Sequence, residues 1–195
     1  MKPERPAPAA ADEDRIIRAI AEGDTAALGA LYDQQAGVLY GLAVRILNDA
    51  GDAEEVVQDV FVHVWRHAGR YDGRRASVTG WLLMMTRSRA IDKVRARQAR
   101  PGTGSASSPD DLPRVPDAAP GPDAILLGDE SAKRLVAAMR DLPDAMRAAI
   151  DLAYYEGLTQ SAIALRLGEP LGTVKTRMRT ALIKLRAALQ PEQRV

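Results

Sequence analysis

An all-α chain, made of two small helical domains joined by a flexible linker, is what this sequence predicts from three observations. Apolar residues recur at helical spacing in nearly every segment, and no stretch alternates apolar with polar as a half-buried strand would. Residues 101–122 break that periodicity with Pro, Gly, Ser and Asp, over a length uncommon inside one compact domain. The final long segment reads as two helices around a tight turn. The organisation expected is an irregular N-terminus at 1–11, a helical domain at 12–100, the linker at 101–122 and a second helical domain at 123–190.

Residues 1–11 are Pro, Ala and charge without period, a composition of disordered segments. A short helix follows, with Ile16, Ile17 and Ile20 on one side. Asp24 is placed to cap a longer helix in which Leu28, Leu31, Tyr32, Val38, Leu39, Leu42, Ile46 and Leu47 recur at helical spacing. Asn48 to Asp52 reads as a turn. The next helix, Asp52 to Gly69, sets Val56, Val57, Val60, Phe61, Val64 and Ala68 on a broad core face. Glu55, Gln58, Asp59, Val62, His63 and Arg66 fall opposite. Val62 there is either one tolerated exposed valine or the apolar centre of an acidic-rimmed docking surface. A polar loop spans Tyr71 to Thr79, and a fourth helix runs from Val78 to Arg100 with Trp81, Leu82, Met85 and Ile91 as core contacts.

Past the linker, Ala124 to Arg140 and Pro143 to Glu156 are helical, followed by the last pair. In that pair Thr159 caps a helix with Ile163, Ala164 and Leu167 on its apolar side. Gly168 supplies a left-handed terminus, and Pro170 prevents continuation. The helix from Gly172 to Leu189 carries Lys175, Arg177, Arg179, Lys184 and Arg186 and no acid. An unbroken cationic helix after so short a turn is what a DNA-binding helix-turn-helix requires, because its first turns enter the major groove and its charges meet phosphate. An ordinary helical hairpin with a solvated basic face is the alternative at this point.

The formal net charge is only +1, but its distribution is uneven. Trp81 to Arg100 holds six bases against one acid, and Asp49 to Val60 holds five acids and no base. Such segregation predicts separate surfaces for a cationic and an anionic partner. The absence of cysteine excludes disulfides, thiol catalysis and thiolate metal sites, and fits a cytoplasmic location. No signal peptide is read at the N-terminus, and no apolar run is long enough to span a membrane.

Taken in order, these motifs resemble those of the extracytoplasmic-function sigma factors of the sigma-70 family, the minimal two-domain specificity subunits of bacterial RNA polymerase. The resemblance runs from Asp14 to Leu189. It is carried by Asp52-Ala53-Glu54-Glu55-Val56-Val57-Gln58-Asp59-Val60-Phe61 with Trp65, by Gly80-Trp81-Leu82, Ala90-Ile91-Asp92 and Leu142-Pro143, and by Gly157-Leu158-Thr159-Gln160 and Leu171-Gly172-Thr173-Val174-Lys175-Thr176-Arg177. It implies that the helix beginning at Asp52 docks on a coiled coil of the polymerase clamp through Glu54, Glu55, Gln58, Asp59 and Val62. It implies that the 71–79 loop and the helix after it bind the downstream promoter element as single strand. One base would be flipped into a pocket near Tyr71, Trp81, Ser88 and Asp92, and Arg87, Arg89, Lys93, Arg95 and Arg97 would hold the backbone. The last helix would read the upstream element as duplex, through Thr173, Lys175, Thr176, Arg177, Arg179 and Thr180. The implied partners are core RNA polymerase, promoter DNA and an anti-sigma factor, often membrane-bound; no cofactor, metal or catalytic residue is implied. Ser88 stands where several relatives carry asparagine. With a single Phe in the chain, the downstream reader is poor in stacking aromatics, which predicts weak melting and a demand for near-ideal promoters.

From Asp110 to Glu130 there are six acids and one base, Arg114. Two readings stand: a solvated spacer, or a strand threading a cationic polymerase channel on the path of nascent RNA. Two rival functions compete with the sigma reading. A conventional regulator would use the same helix-turn-helix but leave the acidic helix and the loop unexplained. A metal enzyme would draw on Glu55, Asp59 and His63, four residues apart, with His67, yet no convergent ligand from another segment supports it.

Overall fold

The computed structural model describes residues 8–99 and 130–189, which fall into two compact units divided between Ala119 and Pro120. Every regular element among the described residues is helical. The 101–122 linker and all of the acidic 110–130 run except Glu130 lie outside the described residues, as do positions 1–7.

The first unit contains α1 (Pro8–Ala21), α2 (Thr25–Leu47), α3 (Ala50–His67), a 3-10 turn (Ala68–Arg70) and α4 (Val78–Ala99). Helix α1 starts inside the segment read as irregular. Proline is tolerated at a first helical position, and the three alanines after it are the strongest helix formers, so apolar period is not needed there. Ile17 and Ile20 are its buried anchors. Asp24 caps α2 as expected, its Oδ1 accepting from Ala26 N at 2.8 Å and Ala27 N at 3.1 Å. Asn48 then takes the left-handed conformation at φ 51°, which Asn tolerates better than most residues, and Asp49 caps α3 by accepting from Asp52 N at 2.8 Å. The turn is therefore shorter than expected, and α3 begins two residues before Asp52.

Helix α2 is the central element, packed along both α3 and α4. The main core gathers Ile17, Ile20, Leu31, Leu39, Val57, Val60, Phe61, Val64, Val78 and Leu82. A second cluster of Ala43, Leu47, Ala53, Val56 and Ala90 closes the other end, where three alanines let the helices approach closely. All six residues expected on the core face of this segment are buried, five in α3 and Ala68 in the 3-10 turn.

The second unit contains α5 (Glu130–Arg140), α6 (Asp144–Tyr154), α7 (Gln160–Leu167) and α8 (Leu171–Leu189). Helix α8 is the shared wall, packed against the other three. Ala149, Ile163, Ala164 and Val174 form one cluster, and Leu142, Ala181 and Leu185 the other.

Candidate nucleic-acid and docking surfaces

The turn between α7 and α8 is built by local chemistry. Thr159 accepts from Ala162 N at 3.2 Å, capping α7. Gly168 ends it at φ 64°, where its N–H bonds Leu165 O and the Glu169 N–H bonds Ala164 O at 2.9 Å. This pair of bonds is a Schellman terminus, which favours glycine because a Cβ is strained at positive φ. Pro170 O then accepts from Thr173 N and Val174 N, opening α8.

On α8, buried Val174, Ala181 and Leu185 fix which way the helix faces. Lys175, Thr176 and Arg179 are consequently exposed, with Thr173 and Thr180 half-buried at their side. Neither Lys175 nor Arg179 has an ion-pair partner among the described residues, so both charges are open to a ligand. The Thr176 hydroxyl donates to Gly172 O at 2.9 Å, as helical threonines often do. Arg177 differs from Lys175 and Arg179 in its surroundings. It is half-buried and held by Glu169 of the turn at 2.5 Å, so its guanidinium braces the turn and does not join the open face.

The α3–α4 surface is a larger correction. The acids of Asp49–Val60 and the bases of Trp81–Arg100 are not kept on two separate surfaces: Asp49, Asp52, Glu55 and Asp59 pair with Arg89, Lys93 and Arg97. Lys93 bridges Asp52 at 3.1 Å and Glu55 at 2.6 Å. Arg97 reaches Asp52 as well as Asp49, and Arg89 lies 3.6 Å from Asp59. Asp52 and Lys93 are mostly covered, with side chains 19% and 24% exposed. Packing α3 along α4 brings charges some forty residues apart in sequence into one ladder. Of the five positions expected to meet polymerase, Glu55 and Asp59 belong to this ladder; Glu54, Gln58 and Val62 lie on the outer face. Sequence reading missed a neighbour there. Trp65, three residues beyond Val62, is 38% exposed beside Val62 at 46%, so the apolar centre is a pair. The signal was the register itself, which puts 62 and 65 on one stripe.

The remaining predicted residues lie in the 71–79 loop, which holds Tyr71, and on α4. The Tyr71 hydroxyl donates to Ala76 O at 2.9 Å, and its ring packs on Trp81 with centroids 5.2 Å apart. Both rings are half-buried, so they serve as the wall of the loop more than as open stacking platforms. Burial and the nearby Asp14 carboxylate push the Tyr71 phenol up to about 12. Hydrogen bonds from the Arg74 side chain and backbone hold the half-buried Asp72 carboxyl below the usual range. On α4, Ser88 and Asp92 are exposed, with Arg95 3.8 Å from Asp92, while Arg87 is half-buried. His63 is pushed down by burial and by His67, whose ring stacks on it at 4.3 Å. Among the described residues no group of three or more His, Cys, Asp or Glu is placed to hold a metal ion, and no helix is long and apolar enough to cross a membrane.

Comparison with known proteins gives a consistent result. Sigma-70 region 2 matches residues 31–100 and sigma-70 region 4 matches 138–187. The ECF RNA polymerase sigma factor SigK of Mycobacterium sp. (strain JLS) is 41% identical over 181 residues, covering 91% of each chain. SigK of Mycolicibacterium vanbaalenii is 40% identical over 185 residues, covering 92% of this chain and 90% of that one. Among solved structures, Rhodobacter sphaeroides SigE in complex with the anti-sigma ChrR is 35% identical, covers 91% of this chain and 98% of that one, and has a TM-score of 0.48.

Proposed function

The chain belongs to the extracytoplasmic-function sigma factors of the sigma-70 family, and from that premise we propose a division of labour between its two units. A sigma factor is a transcription initiation factor, not an enzyme: it joins core RNA polymerase and directs it to promoters. In the proposed division α8 reads the upstream element as duplex. Lys175 and Arg179 stand one turn apart and meet base edges or phosphate, flanked by Thr173, Thr176 and Thr180. The 71–79 loop, with Trp81, Ser88 and Asp92, reads the downstream element as melted strand, and Arg87 and Arg95 steer its backbone. Glu54, Gln58, Val62 and Trp65 form the docking surface for polymerase: an apolar centre with a polar rim. Lys93, Arg97 and Arg177 hold the fold and leave the DNA contacts to their neighbours. The further partner is an anti-sigma factor, and the site of action is the cytoplasm.

The observation that carries the reading is the open pair Lys175 and Arg179 on a helix fixed by a capped tight turn. Run-off transcription with purified bacterial core polymerase on a promoter library tests it. Discrete chain-dependent transcripts sharing two upstream elements are expected. No transcripts, together with tight duplex binding by the chain alone, would make it a conventional regulator instead.

A further inference from the structure

The 71–79 loop is not packed solidly onto the helix beside it. Between α1 and the loop lies a cavity of about 220 Å³, lined among others by Asp14, Arg18, Tyr71 and Gly73. Apolar packing therefore leaves the shape of the loop underdetermined, and polar contacts are left to set it. Two such contacts come from consecutive residues of α1.

At the far end of the loop, the Thr79 hydroxyl lies 3.4 Å from Glu13 Oε1 and 3.3 Å from the Gln35 side-chain oxygen. A hydroxyl has one proton but two lone pairs. With the Gln35 amide turned to present its NH₂, which the bonding pattern and not the fold decides, Gln35 donates to Thr79 and Thr79 donates to Glu13. Gln35 is 8% exposed, a buried amide whose desolvation cost is offset only by such a partner. The relay thus runs from the core of α2 through the start of α4 to the surface of α1.

At the near end, the Asp14 carboxylate faces the Tyr71 hydroxyl, whose one proton is shared between that carboxylate and Ala76 O across the loop. Gly73 sits against the same carboxylate. A Cβ there would stand 3.0 Å from Asp14 Oδ1, 3.2 Å from Oδ2 and 3.4 Å from the Tyr71 hydroxyl. Asp14, Tyr71 and Gly73 thus interlock, and the absence of a side chain at 73 is what lets the carboxylate reach the loop.

We propose that Glu13 and Asp14 of α1 are positioning residues for the downstream-element loop, so that the first helix sets how strictly this chain discriminates the melted strand. They touch the loop and not the DNA. This rests on the proposed reading of the loop, and the test separates the two. The variants are Glu13→Ala with Asp14→Ala, and independently Thr79→Val, which cuts the relay while leaving α1 intact and keeping side-chain volume.

Hydrogen exchange of the full chain gives the first readout. Amides of residues 72–77 are expected to exchange about tenfold faster in either variant, with α2 and α3 amides unchanged. Run-off transcription with core polymerase gives the second. Preference for the best downstream element over its single-base variants is expected to fall about fivefold, the effect of losing one positioning hydrogen bond, while upstream-element preference and polymerase affinity hold. Thr79→Ser, which keeps the hydroxyl, is expected to restore both. Unchanged loop exchange and unchanged downstream preference in both variants would overturn the inference. Absence of chain-dependent transcripts from the unsubstituted protein would overturn the functional reading, and the inference with it.

Discussion

Helices α4 and α8 look alike in sequence, each a long run of Lys and Arg with almost no acid, yet the two units treat those charges oppositely. In α4, Arg89, Lys93 and Arg97 point along α3 and are balanced by Asp49, Asp52, Glu55 and Asp59. In α8, Lys175 and Arg179 are exposed, and among the described residues only Arg177 is tied back, to Glu169. A basic helix is a DNA-binding signal only where its own fold does not supply the counter-charge. The duplex reader should therefore behave electrostatically, whereas the downstream reader should depend on the geometry of its loop.

The largest effect expected is on the open helix. Lys175→Ala with Arg179→Ala should weaken holoenzyme binding to the upstream element by about 3 kcal/mol, roughly 100-fold, without changing thermal stability. Electrophoretic mobility with core polymerase, paired with calorimetry, reads both quantities. A loss of stability matching the loss of binding would mean that these bases are structural after all.

On the paired surface the order reverses. Asp52→Ala removes the mostly covered carboxylate shared by Lys93 and Arg97, leaving Lys93 with Glu55 alone and Arg97 with Asp49 alone, and should cost about 2 kcal/mol of stability, between the values for exposed and fully buried pairs. Both tryptophans, Trp65 and Trp81, lie in the first unit, so urea unfolding followed by tryptophan fluorescence reports that unit alone. An unchanged midpoint would reduce the ladder to surface decoration.

Smaller, and confined to the second unit, is Gly168→Ala. It forces a Cβ into φ 64° and should cost about 1 kcal/mol, seen in far-ultraviolet circular dichroism and absent from the tryptophan signal. Smallest is a pH effect at the loop. The Tyr71 phenol is raised from 10.0 to about 12 in the folded chain, so its contribution is intact below pH 10 and is lost as pH rises from there through 12. Tyr71→Phe should remove that alkaline component from the unfolding midpoint measured against pH.

Much of this was legible in the sequence because it is local. The caps at Asp24 and Thr159, the left-handed Gly168 and the core stripe of α3 follow from residue type and helical period, and the structure agrees with each. Pairing across helices was not legible. Acids near position 52 and bases near 93 look like two surfaces until α2 brings α3 and α4 side by side. The Arg177–Glu169 pair was not legible for the same reason, since period alone does not show that Glu169 reaches over the turn. Glu13, Asp14, Gln35 and Thr79 carried no sequence signal, because each is an ordinary polar residue until the loop folds against α1.

The most direct test of the difference between the two helices is the salt dependence of holoenzyme–promoter binding for two single variants, Arg179→Ala in α8 and Arg89→Ala in α4. Losing a phosphate-directed charge lowers the slope of log K against log salt by about 1. The predicted result is a drop of that size for Arg179→Ala and almost none for Arg89→Ala. Equal drops for both, or the larger drop for Arg89→Ala, would contradict the account.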